Sequence, residues 1–129
     1  MPVPHGRLYS QDHLWVLMVG TEAQIGLTDH AVRELGQVDY LELPAPGDAL
    51  VKDEPFGTVE TSKAVTDLIA PISGKVVTIN EALTDSPGEL AEDPYGKGWL
   101  LKLEPSDPEE LGVLLSPADY DMLIAIPNE

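Results

Sequence analysis

The amino-acid sequence predicts a mainly β fold, a small flattened barrel or sandwich, with short helices near the N-terminus and at the C-terminal end. Three observations predict it. Eleven glycines and twelve prolines in 129 residues cut the chain into strand-length runs. In Val38-Asp-Tyr-Leu-Glu-Leu43 and Trp99-Leu-Leu-Lys-Leu-Glu104 polar and apolar residues partly alternate, which gives a strand one solvated face. Seven such short runs separated by turn signals argue for a sandwich or flattened barrel. A chain of this length reads as one unit, 1–129, large enough to bury a core. Residues 1–7 form a loose or extended lead-in, and 106–129 a helical C-terminal segment.

Taken in order, the expected strands cover 14–19, 23–27, 38–43, 56–61, 64–69, 75–80 and 99–103. Between the second and third lies a helix, with Thr28 at its start as a cap and Gly36 at its end. Ser106-Asp-Pro-Glu109 has the pattern of a capping box and predicts a helix over 109–115. Ser116 and Pro117 supply a cap and a first-turn proline for a last helix, which Pro127 ends. Asp53-Glu-Pro-Phe-Gly57 and Glu92-Asp-Pro-Tyr-Gly96 share a pattern, a faint sign of two related halves.

The charge is −16, from 23 acids against 7 lysines and arginines. Nucleic-acid backbones and anionic membranes require a basic footprint, so both are excluded as partners. Aromatic residues make up 5% of the chain, too few for a base-stacking platform. No run is long and apolar enough to span a bilayer, and the chain opens without a basic-then-apolar signal. With no cysteine there are no disulfides, thiolate metal sites or cysteine nucleophiles. These features are compatible with the cytoplasm and with an acidic monomer that docks transiently on basic partners.

An enzyme finds little support. His5, His13 and His30 lack metal-ligand spacing and read as turn, packing or cap-adjacent residues. Ser62 and Lys63 are neighbours, but adjacent residues of a strand point to opposite faces and no third group completes a nucleophile. No nucleophile elbow or phosphate-cradling loop is present.

The chemistry lies in Gly57-Thr-Val-Glu-Thr-Ser-Lys-Ala-Val-Thr-Asp67 and the following Ala70-Pro-Ile-Ser-Gly74. Ser62 and Lys63 fit a two-residue connection between two β-prone runs, so Lys63 stands at the tip of a tight turn. A protruding lysine between paired strands suits the attachment of a swinging cofactor. The segment resembles the lipoyl-attachment site, with Glu60, Lys63, Ala64 and Asp67 at the motif positions. Biotinyl sites carry methionine on both sides of the lysine; here the neighbours are Ser62 and Ala64, which favours lipoate. The resemblance implies a lipoyl/biotinyl hammerhead-like fold.

Across most of its length the sequence resembles the H-protein family of the glycine cleavage system. Tyr9 and His13-Leu-Trp-Val16 match its opening, and Gly26-Leu-Thr-Asp-His-Ala31 matches a second motif. Leu35-Gly36, Leu43-Pro-Ala-Pro-Gly47, Asn80-Glu-Ala-Leu83 and Asp93-Pro-Tyr-Gly-Lys-Gly-Trp99 follow in the family's order. The resemblance implies a non-catalytic carrier with lipoate in amide linkage to Lys63. Its implied partners are a pyridoxal-phosphate glycine decarboxylase, a tetrahydrofolate-dependent aminomethyltransferase, dihydrolipoamide dehydrogenase and a lipoate ligase or transferase. Leu14 stands where the family carries an acid that receives the cargo amine. Asp12, Glu34 or Asp67 is expected to face the arm's cleft instead. H-protein-like lipoyl carriers of sulfur oxidation share the resemblance, and an unmodified acidic adaptor is a third reading.

Overall fold

The structure is a computed structural model that describes residues 3–125. Two antiparallel sheets carry the fold, and they do not close into a barrel. The larger contains β1 (Leu8–Tyr9), β2 (Leu14–Val19), β3 (Glu22–Leu27), β5 (Ala49–Leu50), β8 (Gly74–Ile79) and β9 (Leu101–Pro105). Its strand order is β1-β2-β3-β9-β8-β5. The smaller contains β4 (Val38–Glu42), β6 (Pro55–Thr61) and β7 (Val65–Ile69), with β6 in the centre. Between the sheets Val16, Ile25, Leu41, Val59, Leu101 and Leu103 are buried together. Each such side chain removed from water contributes about 1.5–3 kcal/mol.

Helix α1 (Asp29–Leu35) starts and stops where the sequence signals. Thr28 Oγ1 accepts the Ala31 N–H at 3.2 Å, and Gly36, at φ 78°, donates its N–H to Val32 O at 3.1 Å. The arrangement turns Ala31 and Val32 into the core. Helix α4 (Pro117–Ala125) is opened by Ser116, whose Oγ accepts the Asp119 N–H at 3.1 Å. Pro127, expected to end it, lies outside the described residues, as do Met1 and Pro2 of the lead-in.

Several elements depart from the sequence reading. The segment expected as a helix over 109–115 is a 3₁₀ helix over Pro108–Val113. Asp107, not Ser106, caps it, accepting the Glu109 N–H at 3.1 Å. The helices α2 (Ala82–Asp85) and α3 (Glu89–Glu92), and the strands β1 and β5, have no counterpart in that reading. Each spans two to four residues, too short for a periodicity to show. The lead-in is anchored at Val3 and Arg7, with His5 and Gly6 exposed between them. Val3 is buried and donates its N–H to Asp121 Oδ1 at 3.0 Å, and the Arg7 guanidinium lies 4.8 Å over the Trp15 ring. The two Pro-aromatic-Gly segments take different shapes: the first enters β6, whereas the second closes a turn around Asp93.

Two glycines mark close approaches. A Cβ on Gly57 would meet the Glu42 carbonyl oxygen, and one on Gly74 the carbonyl oxygen of Glu104. Gly57 lies where the β6–β7 register shifts, and Gly74 begins β8.

Candidate functional site

The strands β6 and β7 pair from Pro55↔Ile69 to Glu60↔Val65, leaving Thr61–Ala64 as the turn. The Thr61 N–H donates to Ala64 O at 2.9 Å. The Thr61 hydroxyl then accepts from the Lys63 N–H at 3.2 Å and from the Ala64 N–H at 3.3 Å. A threonine at this place closes the turn that a backbone carbonyl would otherwise close. Lys63 is exposed at the tip and enters none of the ion pairs among the described residues. Its side chain is free to be modified.

Alternation along the hairpin puts Glu60, Val65 and Asp67 on the sheet face opposite buried Val59. Glu60, Ala64, Val65 and Asp67 are exposed. Strand β7 is an edge strand, and beside it opens a cleft of about 170 Å³. Leu14, Leu27, Ala31, Leu35, Val59 and Leu68 line it with apolar surface, from β2, β3, α1 and the hairpin. Asp12, His13, Glu34, Thr66 and Asp67 supply its polar part. All three acids weighed for a cleft thus border one cleft, Asp12 from the 10–13 loop, Glu34 from α1, and Asp67 at the edge of β7, on the face opposite Val59. Leu14, 1% exposed, is part of its floor.

The distance from the lysine to the cleft is bounded by the chain between them. Lys63 precedes Thr66 and Asp67, which line the cleft, by three and four residues, so it lies no more than about 14 Å from them along the chain. A lysine side chain extended by an eight-carbon acyl chain is an arm of about ten bonds reaching on the order of a dozen Å. A lipoyl group therefore fits on two counts. Its arm is long enough for the span, and the apolar floor suits a dithiolane.

His13, which the sequence gives as a turn, packing or cap-adjacent residue, stands in the wall of the cleft. It sits at φ 69°, held by its N–H donating to Ser10 O at 3.1 Å and by Thr28 N–H donating to His13 O at 3.0 Å. Its ring lies 4.7 Å from that of His30, and burial followed by the His30 charge pushes its pKa below the ordinary value of 6.5. Asp12 and Glu34 act on it in the opposite sense. Thr61 was missed by sequence reasoning, although a hydroxyl two residues before the lysine is a readable turn signal. Among the described residues no group of three or more His, Asp or Glu could hold a metal ion.

A thin sandwich with a lysine at a hairpin tip and an apolar, acid-rimmed cleft beside it has the parts that a carrier of a covalently attached arm requires. Comparison with known proteins specifies the family. The sequence model of the glycine cleavage H-protein family matches residues 7–125. The glycine cleavage system H protein of Carboxydothermus hydrogenoformans is 48% identical over 95% of this chain and 94% of its own length. That of Anaeromyxobacter sp. (strain K) is 44% identical over 96% and 97%. The crystal structure of a glycine cleavage system H protein from Mycobacterium marinum superposes with a TM-score of 0.87 at 36% identity, covering 95% of this chain and 99% of that one. The chain belongs to the glycine cleavage H-protein family.

Proposed function

We propose that this chain is the lipoyl carrier of glycine cleavage, with lipoate joined as an amide to the Nζ of Lys63. It takes an aminomethyl group from a pyridoxal-phosphate-dependent glycine decarboxylase and gives it to a tetrahydrofolate-dependent aminomethyltransferase. Its further partners would be dihydrolipoamide dehydrogenase and the lipoate ligase or transferase that would install the arm. When bound, lipoate supplies a dithiolane that is reduced as it accepts the group and reoxidised after delivery. The protein lowers no barrier of its own; it carries.

The observation that supports this most is that one hairpin holds both the lysine and a wall of the cleft. Thr61 keeps the tip ordered. Glu60 and Asp67, exposed on one face of the same hairpin, are the features a modifying enzyme would read beside Lys63 and Ala64. The apolar floor at Leu14, Leu27 and Val59 excludes water from the arm's end. Asp12, Glu34 and Asp67 can accept hydrogen bonds from a cargo ammonium and balance its charge. They take the part of the acid that Leu14 replaces. No helix among the described residues is long and apolar enough to cross a membrane, and the proposed compartment is the cytoplasm.

The test is exchange of the glycine carboxyl carbon with bicarbonate, run with the lipoylated protein and the decarboxylase. Exchange is expected with wild type and none with Lys63→Arg. A fully lipoylated protein without exchange would contradict the reading and favour a carrier for another pathway.

A further inference from the structure

A buried hydrogen-bond chain runs from helix α1 through helix α4 to the cleft. Tyr120, fully buried in α4, stacks on Tyr9 with ring centroids 4.8 Å apart. Its hydroxyl lies 2.7 Å from Thr28 Oγ1 and 2.8 Å from His13 Nδ1. Thr28 is also fully buried, so bulk water reaches neither hydroxyl.

The direction of the protons follows from satisfying every donor. Among the described residues Thr28 Oγ1 has two partners, the Ala31 N–H and the Tyr120 hydroxyl. The first is a donor, so the Tyr120 oxygen is the acceptor available to the Thr28 hydrogen. Were the chain reversed, that hydrogen would be buried without a partner, a costly arrangement. Thr28 therefore donates to Tyr120, and Tyr120 donates to His13 Nδ1. An imidazole that accepts at Nδ1 carries its proton on Nε2. A proton on Nδ1 would leave the hydrogen of either Tyr120 or Thr28 buried without an acceptor.

We propose that Tyr120 and Thr28 are positioning residues that hold His13 as the uncharged Nε2–H imidazole, leaving the cleft's carboxylates free for a cationic primary amine. The consequence for the cargo rests on the carrier function proposed above; the tautomer does not. The charged or titratable groups around His13 are Asp12 from its own loop, His30 and Glu34 from α1, Asp67 across the cleft on β7, and Tyr120 from α4. An imidazolium among Asp12, Glu34 and Asp67 would neutralise part of the charge that attracts an ammonium and compete for its acceptors. A neutral ring does neither. The relay thus makes amine retention less sensitive to pH than it would be beside an ordinary histidine.

The experiment is long-range ¹H–¹⁵N NMR of the histidine rings in the unlipoylated full chain, titrated with pH. Wild type is expected to show His13 as the Nε2–H tautomer. Tyr120→Phe keeps the ring stack and removes the donor. It should populate the Nδ1–H form and raise the imidazolium-to-imidazole ratio of His13 at a given pH about tenfold. Thr28→Ser, which retains both hydrogen bonds, should behave as wild type. An Nδ1–H tautomer in wild type, or a His13 titration unchanged by Tyr120→Phe, would overturn the relay. A second readout is the rate at which cargo is lost from the loaded, lipoylated protein. Tyr120→Phe should lose it several-fold faster than wild type near pH 6 and equally near pH 8. Equal rates at both pH values would overturn the proposed consequence. The NMR needs neither lipoate nor cargo, so failure of the relay and failure of the carrier reading are told apart.

Discussion

Replacing Thr61 by valine tests whether the lysine turn is held by a single hydroxyl. The substitution keeps the β-branched shape and the strand preference of the position. It removes the acceptor of two N–H groups, those of Lys63 at 3.2 Å and Ala64 at 3.3 Å. Both lie in an exposed turn, where water replaces part of what is lost. At about 0.5 kcal/mol for each such bond the turn should weaken by about 1 kcal/mol in all. That corresponds to a roughly fivefold larger population of the open turn. Backbone hydrogen exchange at Lys63 and Ala64 should accelerate by about that factor, with core amides of β3 and β9 unchanged. The kcat/KM of a lipoate ligase for the protein should fall by up to the same fivefold, and Thr61→Ser should restore both values. Exchange and lipoylation both indifferent to Thr61→Val would refute the claim that Thr61 orders the tip.

Gly26→Ala should lower thermal stability by about 1–3 kcal/mol in calorimetry, because a Cβ there would stand 2.6 Å from the buried Trp15 ring. Trp15 cannot move aside easily, since its Nε1–H donates to Pro94 O at 3.0 Å. Asp12→Asn should shorten the lifetime of the loaded arm by about two- to fivefold, the value of one exposed ion pair, and the difference should shrink in high salt. Stability should also fall at both pH extremes. The folded state holds the His13 pKa below 6.5, so its contribution is complete above 6.5 and is lost as pH falls from there through the folded value. Burial pushes Tyr120 from 10.0 up to about 12, so its contribution is complete below pH 10 and is lost as pH rises from 10 to about 12. Denaturant melts across pH should show both declines, and Tyr120→Phe should soften each.

Much of this was legible because local signals and long-range packing agree. The seven longer strands follow from the glycines and prolines that cut the chain into strand-length runs, and Thr28 and Gly36 bracket α1 because caps are chemical and local. The lysine tip was readable from Ser62 and Lys63 standing between two β-prone runs. The cleft was readable only in part. Asp12, Glu34 and Asp67 could be named as acids, but Leu27, Ala31, Leu35 and Val59 look like any core residues until β2, β3, α1 and the hairpin come together around the cleft. The His13–Tyr120 contact joins positions 107 residues apart in the chain, and no local pattern marks it. The 3₁₀ helix after Asp107 escaped for another reason. Pro108 and the acids after it satisfy the start of an α-helix, but only Leu111 of the segment packs on the core, and Gly112 and the exposed Val113 extend no apolar stripe beyond one turn.

The central claim is that Lys63 carries the arm, and intact-mass spectrometry tests it most directly. Incubation of the purified protein with a lipoate ligase, ATP and lipoate should add one lipoyl mass, and peptide mapping should place it on Lys63. The Lys63→Arg protein should gain nothing under the same conditions. A lipoyl group on any other lysine, or none on the wild-type chain, would contradict the account.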